Sequence, residues 1–166
     1  SIEMLLLLIS HPEIHGVVRR KGARTLRESV FPQYNWAVEM LGLRDKFRAT
    51  VEPMELCYLP TGQKILFCGG DDPGALKSLK PPFGYIGLLH FEEWDQFYGL
   101  EETRNIRQSV LRGGDLGWEF LSFNPPKNRR NFANRYILTS HRDELVHRST
   151  YLSAPPQWLG QRFLQE

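Results

Sequence analysis

The run of residues 85–91 most constrains the fold, because it is mostly apolar and ends directly on two acidic residues. Its length suits a strand, and it lacks the alternation of a strand that has one face in water. Unalternating apolar runs are typical of central parallel strands that are covered on both faces. We therefore predict an interior strand of a sheet, with Glu92 and Glu93 leaving its carboxyl end.

The rest of the chain alternates predicted helices with predicted strands. Helices are expected over residues 1–9, 25–41, 101–111 and 157–164. Strands are expected over residues 16–19, 119–123, 137–140 and 149–152, and a hairpin over residues 55–58 and 64–68. Pro32 falls within the second helix, where we expect a kink or a break. This alternation predicts an α/β fold with a mostly parallel sheet flanked by helices.

Length and layout predict a single domain. The chain has 166 residues, and single domains usually contain about 100–200. It has no internal repeat, low-complexity tract or evident linker. The apolar helix at residues 1–9 has nothing before it to cap it or lead into it. We therefore expect the first strand and loop of the fold to lie upstream, which leaves the fold incomplete at its N-terminus.

Composition excludes several classes of protein. Hydrophobic residues make up 41% of the chain and charged residues 24%, which argues against global disorder. The net charge is only +2, so an affinity for nucleic acid has to come from local basic patches. The longest aliphatic run is residues 4–9, and about 20 apolar residues are needed to span a bilayer. Without a signal-peptide pattern, we expect an intracellular protein with no membrane partner.

The acidic pair Glu92 and Glu93 is the strongest candidate for chemistry. Ligands of open α/β sheets bind at the carboxyl ends of the strands. Nucleotide hydrolysis needs one carboxylate to hold Mg²⁺, directly or through water, and another to polarise the attacking water. Two consecutive acids can do both, because successive side chains leave a strand in different directions. The alternative is that both acids merely solvate the start of a loop.

A second predicted strand, residues 119–123, places further polar side chains at the same edge if the two strands are neighbours. The hydroxyl of Ser122 and the amide of Asn124 are able to hydrogen-bond a γ-phosphate or its attacking water. In the alternative interpretation, Asn124 is a turn residue before Pro125.

No phosphate-binding loop of the G-x-x-x-x-G-K-[ST] type occurs in the chain. The nearest candidate, residues 69–78, has two residues too many before Lys77 and carries two aspartates that would repel phosphate. Lys77 and Lys80 nevertheless precede the acid-bearing strand, where either one offers a cation to a nucleotide or to DNA.

Basic residues cluster twice, and either cluster suits a phosphodiester backbone or a neighbouring subunit's nucleotide. The first cluster contains Arg19, Arg20, Lys21, Arg24 and Arg27, and the second contains Lys127, Arg129, Arg130 and Arg135. The alternative is a solvated loop and helix face. The histidines lack metal-ligand spacing and are interpreted as structural or exposed; they are His11, His15, His90, His141 and His147.

Taken in order, these motifs resemble the ATPase domain of the large terminase subunit of tailed double-stranded DNA bacteriophages. The resemblance covers essentially the whole chain. It is carried by residues 18–31 (VRRKGARTLRESVF), 59–65 (LPTGQKI), 70–73 (GDDP), 91–97 (FEEWDQF), 104–114 (RNIRQSVLRGG), 122–126 (SFNPP) and 149–152 (STYL).

The resemblance implies a RecA-like core of the P-loop NTPase type, with ATP and Mg²⁺ as cofactors. In this family the acidic pair is the Walker B element, so Glu92 resembles the Mg²⁺-associated acid and Glu93 the catalytic acid. Residues 122–124, with Ser122 and Asn124, resemble the coupling motif. Arg20, Arg24, Lys77 and Lys80 are candidate contacts to phosphate or DNA.

The resemblance also implies partners and a location. It suggests an oligomeric ring motor that drives double-stranded DNA into procapsids, with a portal protein and a small terminase subunit as partners. The motor would act in the host cytoplasm, at the procapsid portal.

The chain departs from the family pattern at both ends. The family's P-loop precedes the helix at residues 1–9, and its nuclease domain follows residue 166. The resemblance therefore predicts a partial ATPase domain over residues 1–166 that is inactive on its own. The alternatives are a helicase-like ATPase fragment, a non-catalytic DNA- or capsid-binding remnant of a prophage gene, and a metal-dependent nuclease using Glu92, Glu93 and Asp95.

Overall fold

Six strands form one sheet in the computed structural model of the protein, which describes residues 1–70, 79–139 and 141–155. The strands are β1 (Ile14–Arg20), β2 (Phe47–Val51), β3 (Met54–Tyr58), β4 (Gln63–Gly69), β5 (Tyr85–Glu92) and β6 (Trp118–Ser122). Their order across the sheet is β2-β3-β4-β1-β5-β6. Strands β4, β1, β5 and β6 pair in parallel, and β2 and β3 extend the sheet by antiparallel pairings. The predicted α/β fold with a mostly parallel sheet is confirmed.

Helices cover both faces of this sheet. They are α1 (Ile2–Ser10), α2 (Ala23–Thr25), α3 (Phe31–Met40), α4 (Leu100–Val110) and α5 (Phe132–Tyr136). Short 3₁₀ turns lie at Arg44–Lys46, Trp94–Gln96 and Tyr151–Ser153. None of the helices in the described part of the chain combines the length and the apolar character needed to span a bilayer.

The segment around Pro32 stays helical although proline cannot donate a backbone hydrogen bond. A π-helical turn, Leu26–Val30, connects α2 to α3, and Pro32 falls in the first turn of α3. Proline is tolerated in the first turn of a helix, where its missing N–H is not needed. The predicted interruption is therefore a wide turn of helix, and Gly42, at φ +66°, follows the end of α3.

Strand β5 is covered on both faces, as its sequence predicts. It lies between β1 and β6. Leu88 packs in the core under α1 and α3, whereas Leu89 and Phe91 pack in a second core with α4 and α5. The side chains of β5 therefore alternate between two apolar layers, and its carboxyl end opens at one edge of the sheet.

Two of the predicted strands are wrong. The backbone N–H groups of Ile137, Leu138 and Thr139 bond back into α5 and its last turn, so they are not available to a sheet. Residues 149–150 have no regular structure, and the chain enters a 3₁₀ turn at Tyr151. Short apolar runs form strands only where a neighbouring strand accepts their hydrogen bonds. The helix predicted over residues 157–164 lies outside the described residues.

The side chain of Gln63 ties helix α1 to the sheet. It is fully buried, and its amide nitrogen lies 2.7 Å from the carbonyl oxygens of Leu8 and Ile14 and 2.8 Å from that of His11. The last carbonyl groups of a helix have no partner within the helix. Gln63 therefore supplies N–H donors to buried carbonyl groups at the end of α1 and at the start of β1.

Replacing Gln63 with Leu should lower the free energy of unfolding by about 1–3 kcal/mol, because it removes the buried hydrogen bonds that join α1 to β1 and β4 at similar side-chain volume. Urea denaturation measures the change. The same substitution at Gln33, which is exposed on α3, should change stability by less than about 0.5 kcal/mol. Equal stabilities of the two variants would contradict this role of Gln63.

Candidate functional site

The register of three parallel strands brings charged and polar side chains into one row. Glu92 of β5 is the register partner of Ser122 of β6. Arg19 of β1 is the partner of Phe91, which places Arg20 level with Glu92. Parallel strands end at a common edge, and register partners share a face of the sheet. Arg20, Glu92 and Ser122 therefore meet on the face that α1 and α3 cover.

Glu92 is partly buried and well supplied with hydrogen bonds. The hydroxyl of Ser122 donates a short hydrogen bond to its carboxylate, and Nε2 of His90 lies 3.2 Å from the same oxygen. Burial acts to raise the pKa of Glu92. The hydrogen bonds from His90 and Ser122, with the charges of His90 and Arg20, outweigh burial and hold that pKa below its ordinary value. Glu92 is therefore an ionised carboxylate at neutral pH.

Glu93 has an unusual backbone conformation that the next residue explains. Its φ and ψ are 51° and 53°, a left-handed conformation that is uncommon for residues other than glycine. Trp94 is fully buried, and its ring packs against Phe123, Phe132 and Tyr136 at centroid distances of 5.7, 4.9 and 5.0 Å. The chain turns sharply at Glu93 as Trp94 enters the core on the α4–α5 face, and the side chain of Glu93 stays at the edge.

An ion pair holds the Glu93 carboxylate. The guanidinium of Arg20 lies 2.6 Å from Oε2 of Glu93 and donates another hydrogen bond, of 2.6 Å, to the hydroxyl of Ser29. The Arg20 side chain is 10% exposed, whereas the Glu93 side chain is 43% exposed. Arg20, a predicted contact to phosphate, is therefore mostly buried and is paired with Glu93, the more exposed partner.

Asn124 and Arg24 lie farther from the acids. Asn124 is exposed two residues beyond the end of β6, so the two neighbouring strands bring Ser122 to Glu92 and leave Asn124 at the rim. Arg24 is on α2, exposed and paired with Glu28 at 2.8 Å.

The structure does not bring Lys80 to the acidic pair. Lys80 is exposed before the start of β5, and β5 has eight residues, which separates it from Glu92 by roughly 25 Å. It lines a shallow groove with Tyr85 and Arg112 at the opposite edge of the sheet. Lys77 lies outside the described residues.

His90 and Tyr34 complete the site, and the sequence analysis missed both. Nδ1 of His90 lies 2.8 Å from the Tyr34 hydroxyl, and Nε2 lies 2.8 Å from Oγ of Ser122. A signal for His90 was present in the sequence, because a lone polar residue in an apolar strand, two positions before Glu92, shares that acid's face. Tyr34 gave no comparable signal, since only the fold brings α3 to β5.

The start of helix α1 lies at the same edge. Met4, in the first turn of α1, lies 3.0 Å from the Tyr34 hydroxyl, which contacts His90 of β5, so the first turn of α1 lies near the carboxyl end of that strand. Helix N-termini carry a partial positive charge and unpaired N–H groups that suit phosphate.

The donor set fits Mg²⁺ in the form that nucleotide sites use. Among the described residues, no group of three or more His, Cys, Asp or Glu side chains is placed to hold a metal ion by itself. Mg²⁺ is usually held by one or two carboxylates together with phosphate oxygens and water. An ionised Glu92, with Glu93 and the Ser122 hydroxyl beside it, fits this arrangement.

The six-stranded, mostly parallel sheet flanked by helices, with its polar row at the carboxyl edge, defines an α/β domain compatible with a RecA-like fold. The family described as phage terminase large subunit matches residues 1–166. The chain is 33% identical, over 98% of its length, to the large terminase subunit of Bacillus phage SPP1, and it spans 39% of that protein. The chain belongs to the phage terminase large subunit family.

The Arg20–Glu93 pair should contribute measurably to stability, because Arg20 is largely buried. A double-mutant cycle with Arg20→Met and Glu93→Gln should give a coupling energy of about 1 kcal/mol in thermal or urea unfolding. The matched control is the Arg24–Glu28 pair, whose side chains are 88% and 57% exposed. It should give less than about 0.5 kcal/mol, and equal coupling in both cycles would contradict the contribution of burial.

Proposed function

We propose that this chain is the ATPase part of a motor that packages double-stranded DNA into phage procapsids. Membership of the terminase family supports the packaging role. The main observation in support of ATP hydrolysis is the placement of Glu92 and Glu93. They lie at the carboxyl end of an interior parallel strand, beside Ser122 of the neighbouring strand.

In this proposal the two acids divide the work. Glu92 is ionised, and Ser122 and His90 hold its carboxylate in place. In this orientation it holds Mg²⁺ directly or through a water molecule. Mg²⁺, when it is bound with ATP, neutralises negative charge on the phosphates. Glu93 is more exposed and lies beyond the strand, where it orients and polarises the attacking water. Arg20 keeps the Glu93 carboxylate at the edge of the sheet before nucleotide is engaged.

Residues 122–124, which begin at the last residue of β6, are proposed to couple hydrolysis to DNA movement. Ser122 contacts Glu92 directly, so a change around the acid reaches β6 through one hydrogen bond. Asn124, two residues on, is exposed at the rim and suits contact with the γ-phosphate or its water.

We infer that a phosphate-binding segment precedes Ser1 in the working protein. The first turn of α1 lies near the carboxyl end of β5, because Met4 contacts Tyr34 and Tyr34 contacts His90. The phosphates would lie there in a site built on Glu92. The relative from phage SPP1 is much longer than this chain, which leaves room for that segment and for a downstream nuclease domain. Residues 1–166 are then a partial ATPase domain without turnover of its own.

The partners follow from the same proposal. Double-stranded DNA is the substrate that is moved, copies of the protein form a ring, and the portal protein and small terminase subunit dock in the host cytoplasm. Arg24 is exposed, and three exposed cations follow β6 at the carboxyl edge of the sheet: Lys127, Arg129 and Arg130. Such exposed cations suit contacts to DNA phosphates.

Replacing Glu93 with Gln tests the catalytic assignment in the full-length protein that carries this chain. The variant should bind ATP within about threefold of wild type and hydrolyse it about 10²–10⁴-fold more slowly, because the base that polarises water is lost. A phosphate-release assay and equilibrium nucleotide binding measure the two effects. Glu101→Gln, an exposed Glu of α4, is the control and should keep wild-type turnover.

Near-wild-type hydrolysis by Glu93→Gln would remove Glu93 from this role. A wild-type protein that binds DNA with a steep dependence on salt, yet neither binds nor hydrolyses ATP, would instead support a non-catalytic DNA-binding module.

A further inference from the structure

His90 occupies a position where the sheet otherwise carries apolar side chains. It lies in β5 between Leu89 and Phe91, which are fully buried, and is itself only 7% exposed. Both of its ring nitrogens nevertheless have partners: Tyr34 on one side, and Ser122 and Glu92 on the other. A buried polar group is costly unless it is hydrogen-bonded, and here the bonds lead to the acid that is proposed to hold Mg²⁺.

The hydrogen bonds form a chain with one direction when His90 is neutral. An ionised Glu92 only accepts, so the Ser122 hydroxyl donates to it. Ser122 Oγ then accepts from Nε2–H of His90 at 2.8 Å, and Nδ1 accepts from the Tyr34 hydroxyl at 2.8 Å. Each group has the partner that it needs, and three elements, α3, β5 and β6, are joined through one ring.

We propose that His90, anchored by Tyr34, is a positioning residue that fixes Ser122 and the Glu92 carboxylate in the orientation that holds Mg²⁺-nucleotide. This inference rests on the proposed function. His90 acts through Glu92 and does not contact the reacting atoms. Residues that orient a metal-binding carboxylate typically contribute about 10–100-fold to metal affinity or activity.

The location of Tyr34 supports this role. Its side chain is fully buried, and its hydroxyl lies 2.8 Å from Nδ1 of His90 and 3.0 Å from the sulfur of Met4 in α1. A phenylalanine would fill the same space without the desolvated hydroxyl. The hydroxyl therefore helps to orient His90, and through His90 the Glu92 carboxylate.

The test uses His90→Leu in the full-length protein that carries this chain. The Mg²⁺ concentration for half-maximal ATP hydrolysis should rise about 10–100-fold, while the KM for ATP at saturating Mg²⁺ stays within about threefold. In the Glu93→Gln background, which is expected to hydrolyse ATP only slowly, the rise in melting temperature on adding Mg²⁺ and ATP should shrink or vanish. His90→Gln retains an N–H donor toward Ser122 and should recover part of both effects.

Two further variants separate positioning from packing. Tyr34→Phe removes one oxygen atom and should raise the half-maximal Mg²⁺ concentration several-fold. If His90→Leu fails to fold, Tyr34→Phe still tests the proposal. Tyr58→Phe removes a hydroxyl from a buried tyrosine of β3 and should leave the Mg²⁺ dependence unchanged.

The outcomes distinguish this inference from the function on which it rests. If the wild-type protein gains no stability from Mg²⁺ and ATP, the proposed function fails and this inference fails with it. If the wild type gains stability and folded His90→Leu and Tyr34→Phe gain as much at the same Mg²⁺ concentrations, only the positioning role of His90 is overturned.

Discussion

The parallel register of β1, β5 and β6 is the constraint on which the site depends. It sets Arg20, Glu92 and Ser122 side by side on one face. A slip of one residue in β5 would turn Glu92 toward the α4–α5 core and His90 away from Tyr34. Burial of β5 on both faces excludes that slip, because Leu88 and Leu89 each fill a different apolar layer. Packing of apolar residues thereby decides where the carboxylate emerges.

One helical segment supports both acids. Ser29, in the π-helical turn before α3, accepts a hydrogen bond from Arg20, which pairs with Glu93. Tyr34, one turn further along, contacts His90, whose other nitrogen faces Glu92. The π-helical turn thus contains one support of the site, and Pro32 lies between Ser29 and Tyr34. A displacement of this segment would change the surroundings of Glu92 and Glu93 together, although the two carboxylates face different partners.

The sequence predicts the interior strand, the acids at its end and the neighbouring strand with Ser122, because apolar runs and strand ends are local signals. It does not predict the pairing of Tyr34 with His90, which are 56 residues apart and meet only through the fold. The conformation of Glu93 is equally hidden, since it follows from the burial of Trp94. At residues 137–139 the sequence predicts a strand that does not form. The N–H groups of these residues bond to carbonyl groups of α5 instead of to a neighbouring strand.

The end of β6 and the residue after it contact the surroundings of the two acids from different faces of the sheet. The hydroxyl of Ser122 bonds to Glu92 on the α1–α3 face. The ring of Phe123, the next residue, packs against Trp94 on the other face, directly after Glu93. Successive side chains of an extended chain point in opposite directions, so Ser122 contacts Glu92 itself and Phe123 contacts Trp94, the residue after Glu93. Movement of this segment therefore changes a hydrogen bond to one acid and the packing behind the other, which gives the proposed coupling role its physical basis.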